Sequence, residues 1–328
     1  MKKLPRRGGL KNVNHGVTTQ ILKSVWDAPD GTLLSAYPWT GAGEIRPPNG
    51  AQWFPIVNEP SLEEPPIYPV GATLAGRYIV DSNLVTGNIV GYSEDGVNVT
   101  ARSLIDAGAP ISKLTCSVRH SATVGKRDIS FFIRAHPTAL NSVGSAIYHN
   151  IQLLRYVAGA DTDPAIYIMT LWCTQGYRIT SALQLMAQVR LKSEIVWQAA
   201  TPYDKVVVAY APVGDSVIPA TPNGKKFECI VAGTSGATEP AAFATAAYGD
   251  VIAEGPNTLQ WQCSKNVDYQ SAAVPIEIID TGSIIKVTVD NAIVMTAFDA
   301  TNYNHTHFGF SGFHDPASGK YGALEAWT

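Results

Sequence analysis

Apolar residues alternate with polar ones in short runs along most of the chain, and Gly, Asn, Asp or Pro separates one run from the next. A period of two is typical of β-strands that bury one face. The runs before residue 198 are RYIVD (77–81), NIVGYS (88–93), DISFFIRAH (128–136), AIYHNIQLLRYV (146–157), PAIYIMTLWC (164–173) and ALQLMAQVRLKSEIVW (182–197). Their spacing predicts a β-sandwich or a β-barrel.

The clearest alternation lies near the end, in VPIEIIDTGSIIKVTVDNAIVMTAFD (274–299). Turn residues divide this segment at Asp280–Ser283 and at Asp290-Asn291. The pattern predicts a three-stranded antiparallel meander with one solvated face. The residues predicted to point inward are Ile276, Ile278, Ile285, Val287 and Val289.

The remaining pattern favours an all-β chain. Proline is too dense between residues 26 and 71 for long helices or central strands, so we expect loop with short edge strands there. The nearest approaches to a helical period are TALNSVGSAIYHN (138–150) and SALQLMAQVRLK (181–192). Both are interrupted by β-branched neighbours, which makes a helix a poor prediction for either.

The two ends of this pattern resemble one known fold. DAPDGTLLSAYPWTGAGEIRPPNGAQW (27–53) resembles the opening of laminin-G-like, concanavalin-A-type jelly rolls, and IIKVTVDNAIVMTAFDATNYNHTHFGFSGFHD (284–315) resembles their close. The resemblance implies an all-β jelly-roll sandwich. Segments 27–196 and 265–328 would form this discontinuous domain, preceded by an N-terminal arm at 1–26 and interrupted by an insertion at 197–264.

The insertion itself resembles a small β-module that recurs in tailed-bacteriophage virion proteins and is similar to chitin- and cellulose-binding modules. The residues that carry the resemblance occur in order over nearly the whole segment. They are Trp197, Tyr203, Gly214-Asp215-Ser216-Val217, Pro219, Asn223-Gly224, Phe227, Ala232–Pro240, Glu254-Gly255 and Trp261.

The turn residues of the insertion have a physical role. A module of about 65 residues has little interior, so tight turns and a few large aromatic side chains must hold it together. Asn223-Gly224 is expected to take the positive φ angles of a hairpin turn. Gly233 and Gly236 would let the next loop fold back, with Thr234 and Ser235 bonding to the backbone. The sequence therefore predicts a rigid loop on a minimal sandwich.

Glycan binding is implied by the same resemblance, with one departure from the family pattern. The family carries Glu-Pro-x-Trp where this chain has Glu239-Pro240-Ala241-Ala242, followed by Phe243. Exposed aromatic rings stack on sugars, whereas Trp197 and Trp261 could instead fill the small core. The candidate carbohydrate-binding residues are Trp197, Tyr203, Tyr210, Phe243, Tyr248 and Trp261.

Catalysis has weaker support. A jelly-roll glycanase needs two carboxylates on one face, about 5–9 Å apart. The strand-borne pair closest in sequence, Glu277 and Asp280, points to opposite faces, so we expect no enzyme.

Metal binding also has weak support, and we expect no metal and no cofactor. His305 and His307 could share a strand face and bind a metal, although solvated histidines explain the pattern as well. His314 and Asp315 follow in the next turn. Laminin-G-like folds often bind Ca²⁺ at a rim, but turn formation is the better account of the acidic and amide residues there. Those residues are Asp290, Asn291, Asp299 and Asn302.

Composition excludes several classes of protein. Charged residues make up 16% and hydrophobic ones 45% of the 328 residues, which favours a folded globular chain. The net charge of −3 and the absence of a long apolar run argue against nucleic-acid binding and membrane insertion. The four cysteines form no C-x-x-C pair and are expected to be free, buried thiols: Cys116, Cys173, Cys229 and Cys263.

Positive charge is concentrated in the arm, MKKLPRRGGLK (1–11), which contains no acidic residue and no apolar core of a signal peptide. We expect it to attach the protein to an acidic neighbouring subunit. The candidate attachment residues are Lys2, Lys3, Arg6, Arg7 and Lys11.

These features predict a non-enzymatic structural protein of a tailed-phage virion, assembled in bacterial cytoplasm. It would be a minor capsid, head-decoration or tail-surface protein, and a homo-oligomer that contacts major capsid or tail subunits. Its module would resemble a weak glycan binder of host surfaces. The alternatives are a free lectin or receptor-binding tail-fibre protein, and a jelly-roll glycanase.

Overall fold

The computed structural model describes residues 18–55, 77–88, 99–120, 127–137, 146–156, 166–174, 183–205, 215–254, 258–269, 272–314 and 319–328. Strands dominate these ranges, and the helical structure within them is a 3₁₀ turn at Leu34–Ala36 and one α-helical turn, α1, at Ala242–Thr245. No helix in the described part of the chain is long and apolar enough to cross a membrane. The all-β prediction is confirmed.

The described ranges contain twenty-one strands, numbered in chain order. They are β1 (Gln20–Ser24), β2 (Phe54–Pro55), β3 (Arg77–Asp81), β4 (Leu84–Asn88), β5 (Val99–Asp106), β6 (Lys113–His120), β7 (Arg127–Pro137), β8 (Ala146–Tyr156), β9 (Ile166–Thr174), β10 (Leu183–Lys192), β11 (Pro202–Tyr203), β12 (Ser216–Val217), β13 (Lys225–Val231), β14 (Gly233–Thr234), β15 (Val251–Ala253), β16 (Gln260–Lys265), β17 (Val274–Asp280), β18 (Ile284–Val289), β19 (Ala292–Phe298), β20 (His307–His314) and β21 (Gly319–Trp327).

Two antiparallel sheets form the body of the protein as a jelly-roll sandwich. The eight-stranded sheet has the order β19-β18-β17-β6-β21-β4-β3, with β1 paired to β21, and the seven-stranded sheet has the order β10-β9-β8-β7-β20-β5-β2. The chain crosses between the sheets after β1, β2, β4, β5, β6, β10, β19 and β20. One continuous cluster of buried apolar side chains from both sheets forms the core.

The predicted meander is confirmed as β17, β18 and β19. Ile276 pairs with Val289 and Ile278 with Val287, and all four side chains point into the core. Glu277, on the alternate face, is partly exposed. This alternation follows directly from the period of two in the sequence. In the two segments closest to a helical period, the described residues are strand as well: 146–150 belong to β8 and 183–192 to β10.

The proline-rich segment is loop with a short edge strand as far as residue 55, as expected, and residues 56–71 lie outside the described ranges. The loop packs Trp26, Tyr37 and Trp53 into the core. Glu44 holds it by accepting hydrogen bonds from the backbone N–H of Val25 (3.1 Å) and of Gly41 (3.0 Å). The aromatic side chains of the loop therefore cover part of the sandwich core and exclude water from it.

A buried ion pair links the two sheets. Arg134 has a left-handed φ of 51° at an irregularity between β7 and β8, and its side chain is buried. Its guanidinium donates to both carboxylate oxygens of Asp280 on β17, at 2.6 and 2.5 Å, and to the carbonyls of Asp299 (3.0 Å) and Thr301 (2.8 Å). Asp299 also contacts His149, at 2.5 Å, and burial lowers the pKa of that histidine. Asp280, expected to form a turn, thus also holds the sheets together.

The insertion has its own sheets and its own core. Strands β12-β13-β16-β15 form a four-stranded sheet, and β11 pairs with β14. The buried side chains of these elements form a cluster distinct from that of the body, extending from Trp197 to Cys263. The chain leaves the body at β10, an edge strand, and returns at β17, which lies inside the other sheet. The module thus occupies a crossing between the sheets.

The outgoing and returning segments of the module are joined by a hydrogen-bonded seam, defined here as residues 191–193 and 266–268. The N–H of Val267 donates to the carbonyl of Leu191 (2.9 Å). The Asn266 amide accepts from the N–H of Ser193 (2.8 Å) and donates to its carbonyl (3.1 Å). An ion pair joins the Lys192 and Asp268 side chains across the seam (2.9 Å).

Buried charge lies where the module meets the body. Lys226 on β13 is buried, pairs with Glu228 and donates to the Ser264 hydroxyl (2.7 Å). Burial lowers the pKa of Lys226. Arg190 on β10 is also buried and interacts electrostatically with Glu228 and Asp215 of the module. The module is therefore docked on the body through both the seam and these charges.

Deletion of residues 198–263, with a two-residue Gly-Ser join, should leave a folded body. The seam holds the two cut ends side by side, and the body core receives no side chain from the described residues of the deleted segment. We expect one cooperative thermal transition by circular dichroism. A chain that lacks a transition, while the full-length protein has one, would contradict the expectation of an independent body.

Candidate functional site

Four of the six candidate glycan-binding aromatics lie in the module core. Trp197, Tyr203, Phe243 and Trp261 are all buried, and Phe243 stacks on Phe227 with ring centroids 3.7 Å apart. A buried ring presents no face to a sugar. The structure therefore corrects the expectation for these four residues: they are core side chains and not a stacking platform, and Phe243 does not substitute on the surface for the missing tryptophan.

A buried carboxylate organises this core. Glu254 Oε2 accepts hydrogen bonds from the indole N–H groups of Trp261 (2.5 Å) and Trp197 (3.3 Å). Glu254 Oε1 accepts from the backbone N–H of Gly236 (2.8 Å). One side chain thus ties both tryptophans to the turn-rich loop. From sequence alone, Glu254 is only one member of the family pattern, because the convergence of its three partners is visible only in the fold.

The turn-rich loop, residues 233–240, is held along its length. Gly233 lies so close to Leu259 that a Cβ would stand 2.8 Å from the Leu259 backbone nitrogen, which explains the glycine. Ser235 donates to the Gln198 carbonyl (2.6 Å) and accepts from the N–H of Thr201 (2.9 Å). Glu239 accepts from the N–H of Ala220 (2.8 Å). The predicted rigidity of the loop follows from these bonds.

The Asn-Gly turn differs in detail from the prediction. Gly224 has a φ of 78°, but Asn223 is not among the residues with positive φ. Instead, the Asn223 side chain accepts a hydrogen bond from the N–H of Lys225 (3.1 Å) and donates to the carbonyl of Phe243 (3.0 Å). Asn223 therefore works as an Asx turn that also anchors the segment containing α1.

Tyr248 is the exposed member of the aromatic set in the described part of the module, with 57% of its surface accessible. Its turn is rigid: the N–H of Ala247 donates to the Asp250 carboxylate (2.8 Å), and the N–H of Gly249 donates to the carbonyl of Cys263 (2.8 Å). Ala242, where the family carries tryptophan, is exposed at the start of α1. Tyr210 and the five basic residues of the arm lie outside the described ranges.

A second candidate surface is a depression of about 410 Å³ on the outer face of the eight-stranded sheet. We call it the groove. It lies over β6, β17, β18 and β21, and its polar lining consists of Thr115, Ser117, Glu277, Thr288, Asn291 and Glu325.

Strand register places four of the six polar groove residues in one row. Thr115 pairs with Glu277 on one side and with Glu325 on the other, and Glu277 pairs with Thr288. The row continues to Lys23 at one end and to Ile293 at the other. Laterally paired residues share a face, so the row forms a continuous floor.

Both carboxylates of the groove are paired with lysines. Lys113 lies 2.6 Å from Glu277, and Lys23 lies 3.3 Å from Glu325. The Lys113 ammonium also lies 5.1 Å from the ring centroid of Trp327. The groove therefore offers hydroxyl, amide and paired ionic groups, which are suited to hydrogen-bonding a polar ligand.

Glu277 and Glu325 are a carboxylate pair that sequence inspection missed. They flank Thr115 on strands two places apart, which sets their backbones about 9–10 Å from each other. Strands β17 and β21 are separated by three other strands in the chain but by only one in the sheet. No signal short of the strand order could have joined the two residues.

The metal candidates have structural partners. His305 Nδ1 lies 3.3 Å from the Arg134 carbonyl, and its ring lies 5.0 Å from that of His136. Burial lowers the pKa of both His305 and His307. The side chains of His314 and Asp315 lie outside the described ones. Across the described residues, no group of three or more His, Cys, Asp or Glu is arranged to hold a metal ion.

The rim residues considered for Ca²⁺ serve turns and ion pairs. Asp290, Asn291 and Asn302 have left-handed φ angles of 48°, 63° and 57°, which are typical of turn residues with short polar side chains. Asp290 pairs with Lys265 and Asp299 with His149.

Three of the four cysteines are free and buried, as predicted: Cys116, Cys229 and Cys263. Burial raises the pKa of the Cys229 thiol to about 11. A thiol in such a setting is protonated and weakly reactive at neutral pH. The side chain of Cys173 lies outside the described ones.

No protein-family model matches the chain, and no curated protein matches it by sequence. Among solved structures, it is similar to the carbohydrate-binding module CBM66 from Bacillus subtilis (9% identity, TM-score 0.36, 76% of this chain and 89% of that one). It is also similar to LamAcat from Zobellia galactanivorans (8%, 0.40, 94% and 98%) and to a legume lectin-like domain from Entamoeba histolytica (12%, 0.31, 77% and 86%). Similarity this low carries no argument about site or activity.

Replacement of Glu254 should destabilise the module. Glu254→Ala leaves two buried indole N–H groups and one loop N–H without their acceptor, which should cost about 2–4 kcal/mol in the free energy of unfolding. Glu239→Ala, which removes a single bond at the partly exposed end of the same loop, is the matched control and should cost under about 1 kcal/mol. Urea unfolding followed by tryptophan fluorescence measures both, and equal losses would contradict the role given to Glu254.

Proposed function

We propose that the chain is a non-enzymatic surface protein of a tailed-phage particle that binds neutral glycans through the groove and displays the inserted module. The proposed glycan binding is supported by the row of polar side chains along the groove floor. The proposed place on a phage particle rests on the resemblance of the inserted module to modules of phage virion proteins. Support for that resemblance comes from the core, because Glu254 bonds to three other residues of the pattern, Trp197, Gly236 and Trp261.

Glycan binding suits the chemistry of the groove. Sugars present dense hydroxyl groups, and each carboxylate or amide at the floor can accept or donate to them. The floor consists of paired strands, so its side chains are held on a rigid element, which lowers the ordering cost of binding. No aromatic side chain is among the described residues that line the groove, so the affinity of one copy should be weak. Useful adhesion would then come from many copies on one particle.

Catalysis is not part of this proposal. A glycosidase acts with one carboxyl that gives up a proton and a second carboxylate that attacks or activates water. In the groove, Glu277 and Glu325 are each engaged by a lysine, and both side chains are about one-third exposed. Neither carboxyl is thus presented free to a glycosidic bond. A glycanase remains the third candidate, favoured by the single observation that the two carboxylates share one face.

The cellular setting is proposed on the same resemblance. The protein would be assembled in bacterial cytoplasm and would contact major capsid or tail subunits, as a homo-oligomer. Free buried thiols suit that compartment. A free lectin or a receptor-binding tail-fibre protein is the alternative and would share the groove but would not need the basic arm.

Binding to the full-length chain should be weak and should depend on the groove. We expect a dissociation constant on the order of 1 mM for neutral oligosaccharides by titration calorimetry. Thr115→Arg places a large charged side chain between Glu277 and Glu325 and should abolish the heat of binding, whereas Thr296→Arg, on the outer face of edge strand β19, should not. Release of reducing ends by the wild type, lost in Glu277→Gln or Glu325→Gln, would instead identify a glycanase.

Incorporation into particles tests the proposed place on a phage particle. Mass spectrometry and electron microscopy of purified particles should find the chain at a fixed copy number. Removal of residues 1–17, which contain the five basic residues of the arm, should abolish incorporation while the circular dichroism spectrum is unchanged. Undiminished incorporation would show that the body makes the contacts, and absence from particles would favour the free lectin.

A further inference from the structure

We propose that the groove and Tyr248 are the two ends of one extended surface that binds a neutral polysaccharide strand. This inference rests on the glycan-binding function proposed above and adds the length and charge of the ligand. It is carried by the contacts that fix the Tyr248 end of the module against the rim of the groove.

The first contact is at the rim. Asn291 lines the groove, and its neighbour Asp290 forms the same turn between β18 and β19. Lys265, the last residue of β16 in the module, lies 2.6 Å from the Asp290 carboxylate and donates to the Asp290 carbonyl at 2.8 Å. The N–H of Asp290 in turn donates to the carbonyl of Pro275, which also lines the groove (2.9 Å). The module thus holds one wall of the groove in place.

The next contacts lead from Lys265 to Tyr248. Lys265 pairs in register with Lys225 on β13, so the two backbones lie about 5 Å apart. The Lys225 ammonium donates to the carbonyl of Ala246 (2.6 Å), two residues before Tyr248. The end of the module that carries Tyr248 is therefore the end bound to the groove rim.

The surroundings of Tyr248 suit a sugar face. The ring is 57% exposed on a turn fixed by Asp250 and Gly249, and Ala244, Thr245 and Ala247 around it are exposed and small. Small neighbours leave the ring face open, and a rigid ring loses little freedom when a sugar stacks on it.

The charges along this path select a neutral ligand. Lys113, Lys23 and Lys265 are each paired with a carboxylate, and Lys225 is bound to backbone carbonyls. A sulfated or uronic polymer would need cations that are not already neutralised. A polymer of neutral sugars needs none.

Ligand length separates this proposal from a groove that acts alone. A disaccharide fits within the groove and gains nothing from Tyr248. A longer strand that reaches both ends gains the second contact at the effective concentration set by the first. Affinity should therefore rise with chain length, and the part of that rise due to Tyr248 should vanish when the ring is removed.

The experiment is a calorimetric titration of the full-length chain with chito-, cello- and (1→3)-β-gluco-oligosaccharides of two to eight sugars. Tyr248→Ala should weaken binding of the longest member of the bound series about fivefold and leave the disaccharide unchanged. Tyr303→Ala is the matched control, because Tyr303 is equally exposed, at 57%, but lies between β19 and β20. Tyr303→Ala should change the affinity for neither the disaccharide nor the longest oligosaccharide.

The outcomes distinguish the two proposals. If Thr115→Arg abolishes binding while Tyr248→Ala and Tyr303→Ala are indistinguishable at every length, the extended surface is wrong and the groove stands. If the wild type binds none of the three series, or if Thr115→Arg leaves binding intact, the proposed glycan function is wrong and the extended surface falls with it.

Discussion

The seam between residues 191–193 and 266–268 is the constraint on which the arrangement of this protein depends. A chain that leaves the edge of one sheet must return to the interior of the other, and the module is built into that crossing. The Asn266 amide bonds to both backbone groups of Ser193, so it takes the place of a strand partner where the sheet ends. The seam closes the body core and at the same time sets the module beside the groove rim, where Lys265 binds Asp290.

Buried ion pairs specify which segments pack against each other in this protein. Apolar packing alone would allow several alternative arrangements. Arg134 reaches from one sheet to Asp280 in the other, and Lys226 with Glu228 lies between module and body. The desolvation of such pairs offsets much of their attraction, so their net contribution to stability is small. These ion pairs instead specify how the segments are aligned, because a misplaced segment would leave a buried charge without a partner. The left-handed φ of Arg134 is the local strain that accompanies this arrangement.

The local sequence pattern predicted the strands and turns well, but it could not predict which distant segments pair with each other. The meander at β17–β19 follows from alternation in one stretch of sequence, and the turn at Gly224 follows from residue type. The groove could not be found in the same way, because its floor joins β6, β17 and β21, whose order in the sheet is not written in any local pattern. The bonding role of Glu254 was missed for the same reason, since its indole partners and the Gly236 N–H come from three separate segments.

The aromatic residues of the module show why composition alone misplaces a binding surface. A module of this size has few large side chains with which to exclude water, and Trp197, Tyr203, Phe243 and Trp261 are all used for that purpose. The same rings cannot also stack on a ligand, so a module without the tryptophan at position 242 keeps little recognition capacity of its own. Polar recognition then falls to a surface whose rigidity is already provided by other interactions. The outer face of a paired sheet meets that requirement. Hydrogen bonds between strands fix its backbone, and its outward side chains are not needed to fill the core.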